Sequence, residues 1–416
     1  MFSLPFGESA FSLSLDADHL RHHDVPPVVD ERAAVRHALR HPTGTAPLKD
    51  LVKPGESVAL IVNDITRLTR SDLMLPPIID ELNAAGIPDR DILVVFALGI
   101  HRPQTAAERL RILGDDLYHR LRSIDHNAHD DANLVEIGMT SFGNRVEINR
   151  QVWECDRIIL TGEIIYHLIA GYSGGRKSLV PGVAGARTTT FNHSMIFDPR
   201  CRSGVLDGNP AHEDLLEACR MAEPDFLLNV VLSPDGALVQ VVAGHYDLAH
   251  REGCLAVDRM LRVGLDTPYD LLIASAGGFP LDIDLRQAHK GLENAVQALR
   301  PGGTILFYAE CAMGSGHPSF DDYIARFDDE HAMEKVLRSK FEVGGHKAWW
   351  VRRLGTHYDI HLVSKLPEAF VRRCGFTPVR PEDHERHLAS LLHGQRTGVL
   401  PYSGFTLPFL KEPVAV

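Results

Sequence analysis

Five short apolar runs, set apart by stretches with helical periodicity, constrain the fold of this chain more than any other feature. They are Ser57–Asp64 (SVALIVND), Asp91–Gly99 (DILVVFALG), Arg157–Glu163 (RIILTGE), Asp270–Ala276 (DLLIASA) and Gly303–Ala309 (GTILFYA). Each has an apolar centre with polar or Gly flanks, the pattern of a strand covered on both faces of a parallel sheet. Helical patterns cover Ser71–Ala85, Thr105–Leu113 and Asp284–Leu299. The alternation predicts an α/β fold with mostly parallel sheets. Phe226–Gly244 departs from it: FLLNVVL, SPDG and ALVQVVAG predict a β-hairpin around an Asp-Gly turn. The pattern breaks at Val263–Tyr269, which divides the chain into an N-terminal α/β domain, 1–265, and a C-terminal one, 266–394. Thr397–Gly404 reads as one more strand, expected to return to the first domain so that 395–416 completes it.

A chain of 416 residues suits two or three domains. With 44% apolar and 24% charged residues it has the balance of an ordinary soluble protein. The net charge of −12 argues against nucleic acid or an anionic membrane surface as partner, so an anionic substrate must meet local basic groups. No apolar run is long enough to span a membrane, and the N-terminal stretch lacks the basic start of a signal peptide. Six Cys without a CxxC spacing fit the reducing cytoplasm. The 23 His are unusual in number, and most are expected at the surface.

The densest chemistry lies in Thr161–Phe197. Within it AGYSGGRKS, Ala170–Ser178, follows a strand. Its Ser173, Gly174 and Gly175 could let backbone N–H groups approach a phosphate, with Arg176 and Lys177 supplying charge. It is not a P-loop, because Arg176 stands where the second Gly of that motif belongs. The plain alternative is a Gly-rich turn before a helix. Asp64, Thr66 and Arg67 end the first strand, where α/β proteins bind ligands; Arg67 suits a carboxylate, and a capped helix start is the alternative. His101 follows the second strand and suits a general base. Gln287 and Lys290 share a helix face, with Arg286 beside them. Trp349 and Trp350 hold two of the three Trp and read most simply as core. Two bases, His101 and His167, a Gly/Lys loop and a candidate metal ligand, His193, complete the set.

These residues in this order resemble the nickel-pincer lactate racemase family. GEIIYHLIAGYSGGRKSLVPGVAGARTTTFNHS carries the resemblance, with NDITR and GIHRPQT upstream and LRQAHK downstream, over roughly Leu51 to Gly404. His167 to Lys177 is ten residues, Lys177 to His193 sixteen, and Asp64 to Arg67 and Gln287 to Lys290 three each. The resemblance implies that the first domain binds a cofactor, pyridinium-3,5-bisthiocarboxylic acid mononucleotide nickel. It implies that Lys177 attaches covalently to it through a thioamide and that His193 completes a square-planar nickel site. It also implies two catalytic histidines, His101 and His167, with Arg67, Gln287 and Lys290 binding the substrate and polarising its oxygen. Asp64 would orient His101 or the cofactor, and Trp350 falls where an active-site Trp is expected. The implied activity is racemisation or epimerisation at C2 of a 2-hydroxy acid by reversible hydride transfer, in an inter-domain cleft, after other enzymes have built the cofactor.

Residue chemistry agrees. A Cα–H beside a carboxylate is a poor acid, and hydride removal avoids the carbanion. Two bases near neutrality then serve the hydroxyl of each enantiomer. The chain departs from the family pattern at Leu68, where a Pro is common, and at Arg286, where lactate-active members tend to place an aromatic. Arg286 favours a polar substrate, a sugar acid (aldonate) or a hydroxy diacid. The rival readings are a zinc hydrolase using His101, His167 and His193, which lacks an HExxH spacing, and a non-catalytic carrier of the nickel cofactor.

Overall fold

The computed structural model describes residues 1–67, 69–342 and 344–411; Leu68 lies outside the described residues. The described residues form two compact units, one of 24–260 and one joining 1–23 to the chain after 260.

The 24–260 unit is built on a six-stranded sheet in the order 238–244, 226–232, 157–163, 58–63, 92–97, 122–125. All neighbours are parallel except the Phe226–Leu232/Leu238–Gly244 pair, which is the expected hairpin. The central strands are buried along nearly their whole length because helices cover both faces. Val58, Leu60, Val62, Val94, Phe96, Phe226 and Leu228 pack there against Leu75, Ile78, Ile79 and Leu82 of the Ser71–Ala84 helix. The Thr105 pattern extends further than its sequence suggests. Thr105 and Glu108 form a reciprocal capping box, and the helix runs from Ala106 to Arg120 across a break at Gly114, whose φ is 73°. The sequence expectation stopped at that break.

The second unit carries its own six-stranded, wholly parallel sheet, ordered 377–379, 359–363, 299–308, 269–275, 397–400, 18–19. Two sequence expectations differ here. Thr397–Leu400 pairs with Tyr269–Ser275 and does not return to the first sheet. Residues 1–23 belong to this unit as well: Asp18–His19 pairs with Gly398–Val399, and the Gly7 amide donates to Asp282 at 2.7 Å. Strand partners this far apart in sequence are chosen by which sheet edge stands open, which local pattern does not record.

Candidate active site

In the 24–260 unit, neighbouring strands of the parallel sheet end in the loops that carry the site. After Asn63 the chain turns, and buried Asp64 accepts hydrogen bonds from the Thr66 hydroxyl (2.6 Å), the Thr66 amide (3.2 Å) and His101 Nδ1 (2.6 Å). Burial works to raise the Asp64 pKa. The hydrogen bonds from His101 and Thr66 and the charges of His101 and Arg67 outweigh it and hold the carboxyl below its ordinary value. Gln104 ties the two loops together by accepting from the Ile65 amide at 3.0 Å. His101 keeps 47% of its side chain exposed.

The loop after Arg157–Glu163 holds His167 in a two-residue hairpin, Tyr166–His167 against Gly171–Tyr172. Its Nδ1 accepts from the Ile169 and Ala170 amides at 3.2 and 3.1 Å. The hairpin is braced from three sides. Tyr166 and Tyr172 both donate to Asp258, Asn209 donates to the Ile169 carbonyl, and Arg176 donates to the Ala170 and Tyr172 carbonyls. Burial, then the charges of Lys177, His193, Arg67 and Arg176, push the His167 pKa well below its ordinary value. Lys177, half-buried, is pushed down to about 7 by burial and by Arg176 and Arg67. His193 closes the Ala186–His193 helix, and its Nδ1 lies 3.0 Å from the Thr189 carbonyl. A carbonyl only accepts, so Nδ1 carries a proton; in the neutral ring the lone pair is then on Nε2. Arg67, His167, Lys177 and His193 thus share one electrostatic neighbourhood, and Arg67 joins it to Asp64.

Several expected phosphate groups have other partners. Arg176 is buried in the interior with Nη1 2.9 Å from His250 Nε2, and does not point to solvent. The Ser173 hydroxyl donates to the Glu163 carbonyl and accepts from the Ile165 amide. The Gly175 amide donates to Asn229 Oδ1 at 2.8 Å. A Cβ on Gly174 would press on that same oxygen, and one on Gly175 would press on His250. Close packing accounts for the Gly pair, at φ 68° and 57°. Glu163 was missed by sequence reasoning; burial raises its carboxyl to about 7 against the opposing charge of Arg67. An acid at a strand end inside an apolar run was the available signal.

In the second unit, Asp284 caps the Leu285–Ala295 helix by accepting from the Gln287 amide at 2.7 Å. Lys290 Nζ donates to Gln287 Oε1 at 2.6 Å, so the expected pair is joined. Arg286 has a buried Nε with no hydrogen-bond partner among the described residues. Trp350 is only 4% exposed, with ring centroids 5.8 Å from His289 and 6.5 Å from Trp349. This core packing leaves it little surface for a substrate. Among the described residues no group of three or more His, Cys, Asp or Glu is gathered to hold a metal. The three-His zinc site is therefore not assembled.

The family model for the lactate racemase N-terminal domain matches residues 6–204, and that for the C-terminal domain matches 265–395. Lactate racemase of Thermoanaerobacterium thermosaccharolyticum is 35% identical over 312 residues, 74% of this chain and 73% of that protein. Lactate racemase of Lactiplantibacillus plantarum is 34% identical over 304 residues, 72% and 71%. The structure of the Thermoanaerobacterium lactate racemase apoprotein superposes with a TM-score of 0.89 at 30% identity, covering 99% of each chain. A Thermotoga maritima protein shares the fold at 18% identity, with a TM-score of 0.65. With both domains matched along most of its length, the chain belongs to the lactate racemase family of isomerases.

Proposed function

We propose that this chain inverts C2 of a 2-hydroxy acid by reversible hydride transfer to a nickel-pincer nucleotide held covalently on Lys177. One observation carries the reading: Lys177, whose amine burial pushes down, shares its surroundings with His193, whose Nδ1 is held by the Thr189 carbonyl so that the neutral ring has its lone pair on Nε2. A neutral amine is the nucleophilic form of lysine, as a thioamide link requires. A backbone carbonyl fixing the far nitrogen is the usual support of a metal-bound imidazole. A cofactor that brings its own sulfur and carbon donors asks the protein for one ligand and not a cluster, so these residues fit the group. Lys177 would hold it and His193 would meet the nickel. When bound, it supplies a reversible acceptor for the C2 hydride.

The chain's own residues do the rest. His101, backed by ionised Asp64, and His167 take the hydroxyl proton, one for each enantiomer. Arg67, Gln287 and Lys290 bind the substrate and polarise its oxygen, with the Lys290 ammonium fixed in direction by Gln287. Thr66 serves the cofactor side by keeping Asp64 ionised, and Trp350 supports from the core.

The two relatives are named for lactate. Arg286 favours a different acid here. A guanidinium with a buried, unpartnered Nε is stabilised by an anion or a hydroxyl, and the methyl of lactate offers neither. A hydroxy diacid or an aldonate fits better.

The attachment is tested by intact mass of chain co-expressed with the cofactor-building enzymes. Wild type gains the adduct, and Lys177→Ala keeps its fold by circular dichroism and gains none. An adduct on Lys177→Ala, or one mapped to another lysine, refutes the assignment. An adduct-bearing chain that racemises no 2-hydroxy acid leaves the carrier reading in its place.

A further inference from the structure

We propose, building on the nickel-pincer reading, that Asp214 is a positioning residue for His193. It fixes the helix that carries the nickel ligand without touching the ligand.

The Ala186–His193 helix needs outside support. It has eight residues, and no side chain caps its start at Gly185. A helix that short does not stand alone in water. Its ties lie at Thr188 and Asn192, four residues apart and so on one face. The Thr188 hydroxyl donates to the Arg145 carbonyl at 2.7 Å and accepts from the Glu147 amide at 2.9 Å. This docks the start of the helix on the hairpin of Leu134–Met139 and Arg145–Asn149. At the other end, Asn192 Nδ2 donates to the Ala211 carbonyl at 2.9 Å and to Asp214 Oδ2 at 2.8 Å. Both acceptors belong to the Pro210–Ala222 helix, so both hydrogens of that amide are committed to it.

Asp214 joins the two ties. The same Oδ2 accepts from Asn144 Nδ2 at 2.9 Å, and that nitrogen also lies 3.3 Å from the Thr188 carbonyl. Oδ1 accepts from the Thr140 hydroxyl at 2.7 Å. Thr140 and Asn144 close the turn of the docking hairpin, the Thr140 amide donating to the Asn144 carbonyl at 2.9 Å. One carboxylate thus gathers the hairpin turn, the end of the 186–193 helix and the 210–222 helix. All four side chains are buried, so water cannot replace a lost partner. A carboxylate oxygen accepts, which also fixes which way round each amide sits.

His193 follows Asn192 directly, and its ring is held by the Thr189 carbonyl one turn back. The ring is fixed to the helix and the helix to Asp214. A metal ligand serves only when held to within about 0.5 Å, and an untied helix end does not hold Nε2 to that tolerance. Lys177 lies in another segment, Gly175–Ser178, and donates none of the hydrogen bonds that Asp214 accepts. Nickel retention and covalent attachment therefore separate.

The test uses the full chain co-expressed with the cofactor-building enzymes, with intact mass reading the adduct and metal analysis reading nickel during an EDTA challenge. Asp214→Ala and Asn192→Ala are expected to keep the adduct and to release nickel roughly tenfold faster or more. Asn192→Ala leaves Thr140 and Asn144 paired with Asp214, so it carries the test if Asp214→Ala does not fold. Asp214→Asn is expected to release nickel at close to the wild-type rate, because its Oδ1 can face the two amides and its Nδ2 the Thr140 oxygen. Arg157→Ala, which breaks the ion pairs to Glu56 and Asp225 elsewhere in the unit, supplies a destabilised control with the wild-type rate. Wild-type release from Asn192→Ala, or equally fast release from Arg157→Ala or Asp214→Asn, overturns the inference. A wild-type chain that takes up neither adduct nor nickel contradicts the cofactor reading instead. The hub is then judged in the bare chain by amide hydrogen exchange over 186–193, expected to quicken in Asn192→Ala, and unchanged exchange there overturns it.

Discussion

Single side chains in this protein are read best from what their far nitrogen touches. His193 donates through Nδ1 to Thr189, and His193→Ala is expected to abolish nickel retention. His101→Ala is expected to keep the metal and lose turnover by roughly 10²-fold or more; metal analysis beside a racemisation assay separates the two. Arg286 invites a second measurement, kcat/KM for lactate, malate and gluconate. The expected wild-type order puts malate or gluconate above lactate, and Arg286→Tyr is expected to reverse it. An unchanged ranking would remove Arg286 from specificity. Residue types and spacings were legible in the sequence at His101, Lys177, His193, Gln287 and Lys290, because motif order survives without knowledge of the fold. Direction was not legible. Arg176 stands beside Lys177 in sequence, yet its guanidinium is committed to His250 and two carbonyls in the interior. Which neighbour faces inward depends on the Gly174–Gly175 turn, and that turn is set by Asn229 and His250, more than fifty residues away.

At the scale of elements, the Tyr166–Tyr172 hairpin is short, and its support comes from elsewhere. Two paired residues per strand cannot hold a shape in water. Asn209 is its most economical brace: Oδ1 caps the Pro210–Ala222 helix, and Nδ2 reaches the Ile169 and Val205 carbonyls. Asn209→Ala removes the cap and leaves buried carbonyls without a donor. A loss of about 2–3 kcal/mol is expected in urea unfolding, with His167-dependent activity falling further than stability alone explains. Asn209→Asp keeps the cap and loses the carbonyl contacts, so it should recover part of the stability and little of the activity. The long elements were legible because both faces of their strands are apolar. This hairpin was not, since IYHLIAGY carries no period and its structure is imposed by Asp258, Arg176 and Asn209.

The molecule as a whole contains an uncommon number of neutral imidazoles. Burial lowers the pKa of His126 to about 4 and of His212 to about 2, and holds His167, His250 and His289 well below the ordinary 6.5. The unfolded chain protonates these rings near 6.5 and the folded chain does not, so below that value the unfolded state binds more protons and stability falls. Each ring contributes up to about 1.4 kcal/mol per pH unit between its two values. Urea midpoints are therefore expected to drop steeply from pH 6.5 to 4.5, and a flat profile there would contradict the buried neutral set. Domain contents were the least legible feature at this scale. The second sheet takes its edge strand from Asp18–His19 and the neighbouring strand from Thr397–Leu400, with the 24–260 unit inserted in the chain between. That insertion sets an order of events on the ribosome. The unit bearing Lys177 has its whole sequence available while the first 23 residues still lack their partner strand. Emerging at some 5–20 residues per second, the chain leaves Asp18–His19 without its partner strand for tens of seconds, while Phe2–Phe6 and Ser9–Leu13 can pair with each other at once. A permuted gene that begins near residue 261 and joins the old ends would remove that wait.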